Sequence, residues 1–301
     1  MTRPAIREAL TGISGILVTP FDESDTVAPE RLRPIADRAI AAGVHILVSN
    51  GNTSEFYGLT VDEAETMVRA GAEIVDGRVP LVAGVGRGIK DACRLTKTSV
   101  EAGADAIMIH QPPDPFMAPR GVVDYVRRVA DAADGKPLVL YIRNDTIGTK
   151  AIADLCAVDA VIGVKWATQR PLALAEAMAA SAPDIVWVGG LAEVWAPPFY
   201  AVGARGFTSG LINVWPARSV AIHAALEAGD YAAARDLIAG MRGFEDVRAE
   251  EGGGANVSGV KAALAMQGHD CGAARPPAAW PLTDDQKTRL RAVLDTMDGA
   301  G

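Results

Sequence analysis

The feature that most constrains the fold is a regular alternation of short apolar segments with longer segments of helical periodicity. Each apolar segment is short enough for a strand buried on both faces. The predicted strands are 15–19, 45–49, 80–85, 106–110, 137–142, 161–167, 185–189 and 206–209. The predicted helices that follow them are 31–42, 61–76, 88–102, 120–133, 150–157, 171–181, 193–202 and 216–227. Eight strand–helix units close a parallel sheet, so we expect an α/β fold, a (β/α)8 TIM barrel.

The joints between these units carry turn signals that support the same fold. Gly43, Gly103 and Gly203 each stand between a predicted helix and the next strand, where a left-handed C-terminal cap turns the chain back into the sheet. We assign residues 1–228 to the barrel and 229–301 to a C-terminal helical extension packed on it. The helices predicted in the extension are 230–241, 260–266 and 286–297.

Composition narrows the possible partners. The 301 residues carry a net charge of −8, which argues against a surface that binds nucleic acid. No apolar segment approaches membrane-spanning length, and the polar start of the chain does not resemble a signal segment. We therefore expect a cytoplasmic protein without a membrane or nucleic-acid partner and without a metal site. The cysteines and histidines show no metal-binding or disulfide spacing: Cys93, Cys156, Cys271, His45, His110, His223 and His269.

Lys165 is the most unusual residue of the chain, because it stands in the middle of an apolar predicted strand at 161–168. Burying an ammonium group is costly unless the group is paired or its pKa falls. If Lys165 points into the barrel, Gly163 and Val161 share its face, and Val164 and Trp166 pack outward. The alternative is that Lys165 lies at a strand end and reaches water. The other six lysines lie in polar or helical surroundings where solvation is easy.

Two further features lie where Lys165 could meet them. Tyr141 occupies the corresponding late position of the preceding strand, and neighbouring strands lie ~4.8 Å apart. The segment 51–55 is a loop of small residues after the second strand, and its free N–H groups could bind a carboxylate. The alternatives are that Tyr141 packs at the barrel rim and that 51–55 is an ordinary turn.

An amine, a phenol and an anion-binding loop at one end of a barrel have a definite chemistry. A desolvated lysine keeps a neutral amine near pH 7, and this amine can attack a ketone to form a Schiff base. The iminium then withdraws electrons, so that a proton or a carbon fragment can leave the adjacent carbon. A tyrosine can transfer protons in these steps, while the loop holds the carboxylate of a 2-oxo acid.

These segments resemble the dihydrodipicolinate synthase/N-acetylneuraminate lyase family of Schiff-base barrels. The matching segments, in family order, are 19–21, 51–55, Tyr141, 161–168, 206–213 and 275–277. The resemblance implies that Lys165 forms the Schiff base, that Tyr141 relays protons and that Thr53 belongs to the carboxylate-binding loop. It also implies a small 2-oxo acid substrate, no cofactor beyond the covalent Schiff base, and a homotetramer or homodimer.

Departures from the synthase pattern bear on the substrate. Asn52 replaces the first of two threonines in the loop, Asp114 stands near the place of a relay tyrosine, and Thr146 replaces an arginine. Lysine biosynthesis is therefore not expected. The segments 51–60 and 141–145 are instead similar to the branch of 5-dehydro-4-deoxyglucarate dehydratase.

The sequence thus predicts a Schiff-base lyase that dehydrates a 2-oxo-3-deoxy sugar acid such as 5-dehydro-4-deoxyglucarate. One alternative is a pyruvate-dependent aldolase of a 2-oxo-3-deoxy acid, which forms the same iminium. A second alternative is a barrel that binds a 2-oxo acid without turning it over.

Four further residues are assigned to substrate binding. Asn52 lies in the loop after the second strand, Gly190 follows the seventh strand, and Ser209 ends the eighth. Arg143 follows Tyr141 by two residues, and its guanidinium suits bidentate contact with a carboxylate, for example the second carboxylate of a sugar diacid. The alternative for Arg143 is an ion pair with Asp145 or with an aspartate on a helix.

Overall fold

The computed structural model of the protein describes residues 1–298 and contains a closed parallel barrel whose strands pair in sequence order. The (β/α)8 prediction is confirmed. The strands are β1 (Ile13–Ile16), β2 (Ile46–Ser49), β3 (Leu81–Val85), β4 (Ala106–His110), β5 (Leu138–Ile142), β6 (Val161–Trp166), β7 (Val186–Gly189) and β8 (Phe207–Ser209).

Helices surround this barrel and continue beyond its last strand. Those up to the last barrel unit are α1 (Arg3–Leu10), α2 (Arg33–Ala41), α3 (Val61–Val75), α4 (Ile89–Ala102), α5 (Pro119–Ala132), α6 (Thr149–Cys156), α7 (Pro171–Ala180), α8 (Ala192–Ala201) and α9 (Pro216–Glu227). The helices that follow are α10 (Tyr231–Ala239), α11 (Arg242–Ala249), α12 (Asn256–Met266) and α13 (Asp284–Asp298).

The predicted joints have the expected geometry. Gly43, Gly103 and Gly203 have φ values of 92°, 97° and 105°, which is the left-handed conformation of a helix C-terminal cap. Thr60 and Glu63 form a reciprocal capping box at the start of α3. These local signals therefore define where helices stop and start around the barrel.

Helix α1 was not predicted, because its sequence is mostly polar. Its apolar residues Ile6 and Leu10 are one turn apart and both are buried. They belong to the same interior cluster as Val139 and Val188 of the barrel strands. Helix α1 therefore covers the end of the barrel opposite the carboxyl ends of the strands.

Strand β1 is shorter than the predicted 15–19 and begins earlier. The chain leaves the strand ladder after Ile16 because side chains take over the hydrogen bonding there. The Val18 N–H donates to Asn213 Oδ1 at 3.2 Å, and the Thr19 hydroxyl donates to the Ser54 carbonyl at 2.7 Å. The first bond connects the end of β1 to the turn after β8, and the second connects it to the loop after β2.

Strand β6 contains the other departure from the predicted side-chain pattern. The pairing of β5 with β6 shifts between Leu138 and Val139, which pair with Val161 and Gly163. This irregularity turns Ile162 into the interior cluster and leaves Val161 in the cluster beneath the helices. The prediction that Val161 shares the face of Lys165 was therefore wrong, whereas Val164 and Trp166 do pack outward.

The four helices after α9 contribute residues to an apolar cluster that also contains residues of the barrel. Phe244 of α11 and Leu264 of α12 belong to one apolar cluster with Ile13 of β1 and Ile35 of α2. The prediction of a single helix over 230–241 was incomplete, because α11 follows α10 without having been predicted. Both α11 and α12 carry side chains that line the cavity described below.

Candidate active site

A cavity of about 910 Å³ opens at the carboxyl ends of the strands. Lys165 lines it from β6 and is only 4 % exposed. No hydrogen bond or ion pair of its amine is formed with any of residues 1–298. Burial, assisted by the charge of Arg143, lowers the pKa of Lys165 to about 7. The amine is therefore available as a nucleophile near neutral pH.

Tyr141 lies directly beside this amine. The two residues are partners in the register of β5 and β6, and the Lys165 nitrogen lies 4.0 Å from the centroid of the Tyr141 ring. The Tyr141 oxygen accepts a hydrogen bond from Asn52 Nδ2 at 2.8 Å. Burial raises the pKa of Tyr141 to about 12, so the phenol keeps its proton at neutral pH. That proton is free to be donated into the cavity.

The loop after β2 is held in a tight turn by its own side chains. The Gly51 N–H donates to Ser54 Oγ at 3.0 Å, and Ser54 Oγ donates in turn to the Leu17 carbonyl at 2.5 Å. Within residues 1–298 no protein acceptor is bound by the N–H groups of Asn52 and Thr53. Thr53 also lines the cavity. The loop therefore offers donors to an anion.

A buried ion pair anchors the same loop to α12. Glu55 Oε1 lies 2.7 Å from the amine of Lys261 on α12, and Glu55 Oε2 accepts from the Arg275 N–H at 2.7 Å. Lys261 is 1 % exposed, so the prediction that it lies in easily solvated surroundings was wrong. The sequence did contain a signal for this burial, because Lys261 stands in an apolar segment. Its neighbours Val260 and Ala262–Leu264 are buried as well.

Arg143 is exposed and lines the cavity near Lys165 and Tyr57. It forms no ion pair among residues 1–298, and Asp145 is bound instead to Arg170 at 2.8 Å. The alternative of an ion pair between Arg143 and Asp145 is therefore wrong in this structure. Arg143 thus presents a guanidinium to the cavity, where it can meet an anionic group of a ligand.

Comparison with known proteins decides the family. The model of the dihydrodipicolinate synthetase family matches residues 9–297. The chain belongs to this family. Its members are lyases that act on small 2-oxo acids through a Schiff base.

Individual relatives show how broad the similarity is. The chain is 31% identical to a probable 5-dehydro-4-deoxyglucarate dehydratase of Streptomyces avermitilis, over 98% of this chain and 97% of that protein. It is 30% identical to a 4-hydroxy-tetrahydrodipicolinate synthase of an Exiguobacterium species, over 95% and 97% of the two chains. The dihydrodipicolinate synthase structure from Oceanobacillus iheyensis superposes with a TM-score of 0.93 at 34% identity, and 98% of each chain is covered.

Within this lyase fold the predicted site residues do not all reach the cavity. Lys165, Tyr141, Asn52, Thr53, Arg143 and Gly190 line it. Ser209 does not: its hydroxyl donates to Glu193 Oε1 at 2.5 Å and lies 3.1 Å from the hydroxyl of Ser219, in the buried layer between barrel and helices. Strand alternation accounts for this, since Thr208 and Gly210 line the cavity and Ser209 points the other way.

One side chain missed in the sequence controls the position of Arg143. Gln111, directly after β4, accepts through Oε1 from the N–H groups of Arg143 and Asn144 at 2.9 and 2.8 Å. Its Nε2 donates to the Asn144 carbonyl at 2.8 Å. The Gln111 side chain therefore fixes the backbone that carries the Arg143 guanidinium. In the sequence, the available sign of such a role was the position of Gln111 directly after a predicted strand.

The described residues show neither a metal cluster nor a membrane span. Among residues 1–298, no three or more His, Cys, Asp or Glu side chains are grouped so as to hold a metal ion. None of the helices up to residue 298 is long and apolar enough to cross a membrane.

Proposed function

We propose that this lyase forms a Schiff base between Lys165 and a 2-oxo acid and dehydrates a 2-oxo-3-deoxy sugar acid, such as 5-dehydro-4-deoxyglucarate. The observation that carries the proposal is the contact of Lys165 with Tyr141. A buried, unpaired amine lies against a protonated phenol and beside a loop with free N–H groups. A protein that only binds a carboxylate needs neither the amine nor the phenol.

The reaction follows from these groups. The neutral amine attacks the ketone carbon, and Tyr141 gives its proton to the hydroxyl of the carbinolamine, which leaves as water to give the iminium. The iminium acidifies the C–H bonds of the adjacent carbon, and the Tyr141 phenolate takes up one of these protons, which gives the enamine and restores the phenol. The enamine expels the hydroxyl group from the next carbon as Tyr141 protonates the departing oxygen, so that one water molecule leaves. Hydrolysis of the remaining imine releases the product and regenerates the amine.

Asn52 has a defined part in this scheme. It donates to the phenol oxygen and therefore stabilises the negative charge that Tyr141 carries after giving up its proton. A carboxamide does not itself pass on a proton at neutral pH. Asn52 consequently orients Tyr141, and the proton that Tyr141 later regains comes from the substrate or from water.

The position of Arg143 favours a substrate that has a second carboxylate. It is the cavity arginine without an ion-pair partner among the described residues, and a carboxylate at the far end of a sugar diacid would supply one. The similarity to dehydratases and synthases at about equal identity does not distinguish substrates. The assembly as a homotetramer or homodimer and the cytoplasmic location stay predictions.

The decisive experiment is chemical trapping combined with a substrate panel. Incubation with pyruvate and borohydride should leave a reduced adduct on the peptide that contains Lys165, and Lys165→Ala should abolish it. Tyr141→Phe should still form the adduct but lower turnover by roughly 10²–10⁴, the usual contribution of general acid–base catalysis.

The panel of 2-oxo-3-deoxy sugar acids separates the alternatives. A dehydrated product supports the proposal, whereas release of pyruvate assigns the protein to the aldolases. Trapping on Lys165 without turnover of any substrate would indicate the binding barrel. An adduct on another lysine, or none with any 2-oxo acid, would refute the Schiff-base mechanism.

A further inference from the structure

The helices beyond the barrel bring a buried arginine to the anion-binding loop. Arg248 of α11 is 7 % exposed and lines the same cavity as Lys165. A Cβ atom built on Gly210 would lie 2.5 Å from Arg248 Nη2 and 3.3 Å from Thr53 Oγ1. The guanidinium and the Thr53 hydroxyl therefore flank one point at the end of β8, and only glycine leaves this space open.

Two hydrogen-bond donors of Arg248 have no acceptor among residues 1–298. Nε and Nη2 donate to Asn256 Oδ1 at 3.0 and 2.6 Å, and Nη1 donates to Glu245 Oε1. A guanidinium has five N–H groups, so one N–H on each terminal nitrogen is left over among the contacts of residues 1–298. Because buried donors are normally satisfied, an oxygen acceptor from the cavity is expected here.

The surrounding charges keep the guanidinium in place when the cavity is empty. Glu245 neutralises it from one side through the ion pair on α11. Asn256 holds it from another side, because its Oδ1 accepts from both Nε and Nη2. These two partners fix the direction of the remaining N–H groups of Arg248.

We propose that Arg248 binds the carboxylate next to the reacting ketone of the 2-oxo acid, together with Thr53 and the N–H groups of the loop after β2. This inference rests on the proposed function and extends it. A pair of N–H groups on a planar cation matches a carboxylate, and the adjacent hydroxyl and loop N–H groups supply further donors. Arg143 would then bind the opposite end of the substrate, so that the two arginines have different ligands.

The test is calorimetric titration of the full chain with pyruvate and with pyruvamide, its neutral amide analogue. Removing Arg248 alone would leave Glu245 unpaired, so the main variant combines Arg248→Met with Glu245→Gln. We expect this variant to bind pyruvate about ten- to a hundredfold more weakly, which corresponds to a lost charge-assisted hydrogen bond. Its affinity for pyruvamide should change much less. The matched control is Arg235→Met with Asp236→Asn, an exposed ion pair on α10 that does not line the cavity, and it should bind pyruvate normally.

A second variant keeps every charge. Gly210→Ala places a methyl group where Nη2 and the Thr53 hydroxyl converge, so it should displace the guanidinium and weaken pyruvate binding selectively. Gly210→Ala still tests the role of Arg248 if the double variant fails to fold. Unchanged pyruvate affinity, or an equal loss for pyruvate and pyruvamide, would overturn the role of Arg248.

Borohydride trapping on the same proteins separates this inference from the proposed function. A Lys165 adduct together with unchanged pyruvate affinity in the variants refutes only the role of Arg248. Binding of pyruvate that depends on Arg248, but without an adduct, supports that role and refutes the Schiff-base mechanism. A wild-type chain that neither binds pyruvate nor forms an adduct with any 2-oxo acid refutes both.

Discussion

Replacing Lys165 by methionine should stabilise the folded chain, although it should abolish catalysis. An ordinary lysine has a pKa near 10.5, whereas burial lowers the pKa of Lys165 to about 7. Between these two pH values the unfolded chain therefore holds one proton that the folded chain has lost. The free energy of unfolding must then rise with pH across this interval, by up to about 1.4 kcal/mol per pH unit. Methionine fills a similar volume and removes this dependence.

The size of the effect follows from the same two pKa values. At pH 7 the lysine costs the folded state about 4 kcal/mol, and at pH 9 it costs about 2 kcal/mol, because deprotonation in the unfolded chain becomes easier. Lys165→Met should therefore be more stable than the wild type by about 4 kcal/mol at pH 7, and by about half of that at pH 9. Below pH 7 the difference should level off, since the lysine is then protonated in both states.

The measurement is urea-induced unfolding of both proteins at pH 6, 7, 8 and 9. Lys90→Met is the matched control, because Lys90 is exposed, and its substitution should change stability by less than about 0.5 kcal/mol at every pH. A stability difference for Lys165→Met that is flat from pH 7 to 9 would show that the folded chain keeps the ammonium form. Lys165 would then not be a nucleophilic amine near neutral pH.

Two further predictions concern charged groups around the cavity. Arg143→Lys should impair turnover of diacid substrates much more than that of monoacids of equal length, since lysine cannot reproduce the planar guanidinium; an equal effect on both classes, measured as kcat/KM, would exclude Arg143 from reading the distal carboxylate. Lys261→Met should lower the free energy of unfolding by about 3–5 kcal/mol by leaving Glu55 buried without its partner. Adding Glu55→Gln should restore part of that loss in denaturant unfolding, and a double variant no more stable than Lys261→Met would argue against the pair.

The fold and the central contact of the site were predictable from sequence because both depend on local patterns. Strand–helix alternation marks each barrel unit, and left-handed glycines mark several of the joints between them. The alternation places Tyr141 and Lys165 on neighbouring strands at the same end. The pairing register of the strands could not be predicted in detail from the sequence. The shift in the pairing of β5 with β6 depends on how the two strands meet, and it moved Val161 out of the interior.

Two of the three residues that could not be placed from the sequence were missed for the same physical reason. Gln111 and Arg248 contact segments that are distant in the chain or were not predicted, and no periodicity in the sequence indicates such contacts. Helix α11 was itself unpredicted, so Arg248 could not be placed. Lys261 was different: the argument applied to Lys165, a lysine among apolar residues, applies to it equally. The structure shows that a carboxylate compensates the buried charge of Lys261, whereas Lys165 has no carboxylate partner among residues 1–298.

The contrast between the two buried lysines explains how the site divides its tasks. The ion pair with Glu55 favours the charged form of Lys261 against the effect of burial, and the pair ties α12 to the loop after β2. In the described part of the chain Lys165 has no such partner, and the nearby Arg143 opposes its protonation further. A carboxylate beside Lys165 would make it another structural ammonium group and remove its nucleophilicity. The proposed carboxylate-binding loop therefore depends on a paired lysine, and the proposed Schiff base depends on an unpaired one.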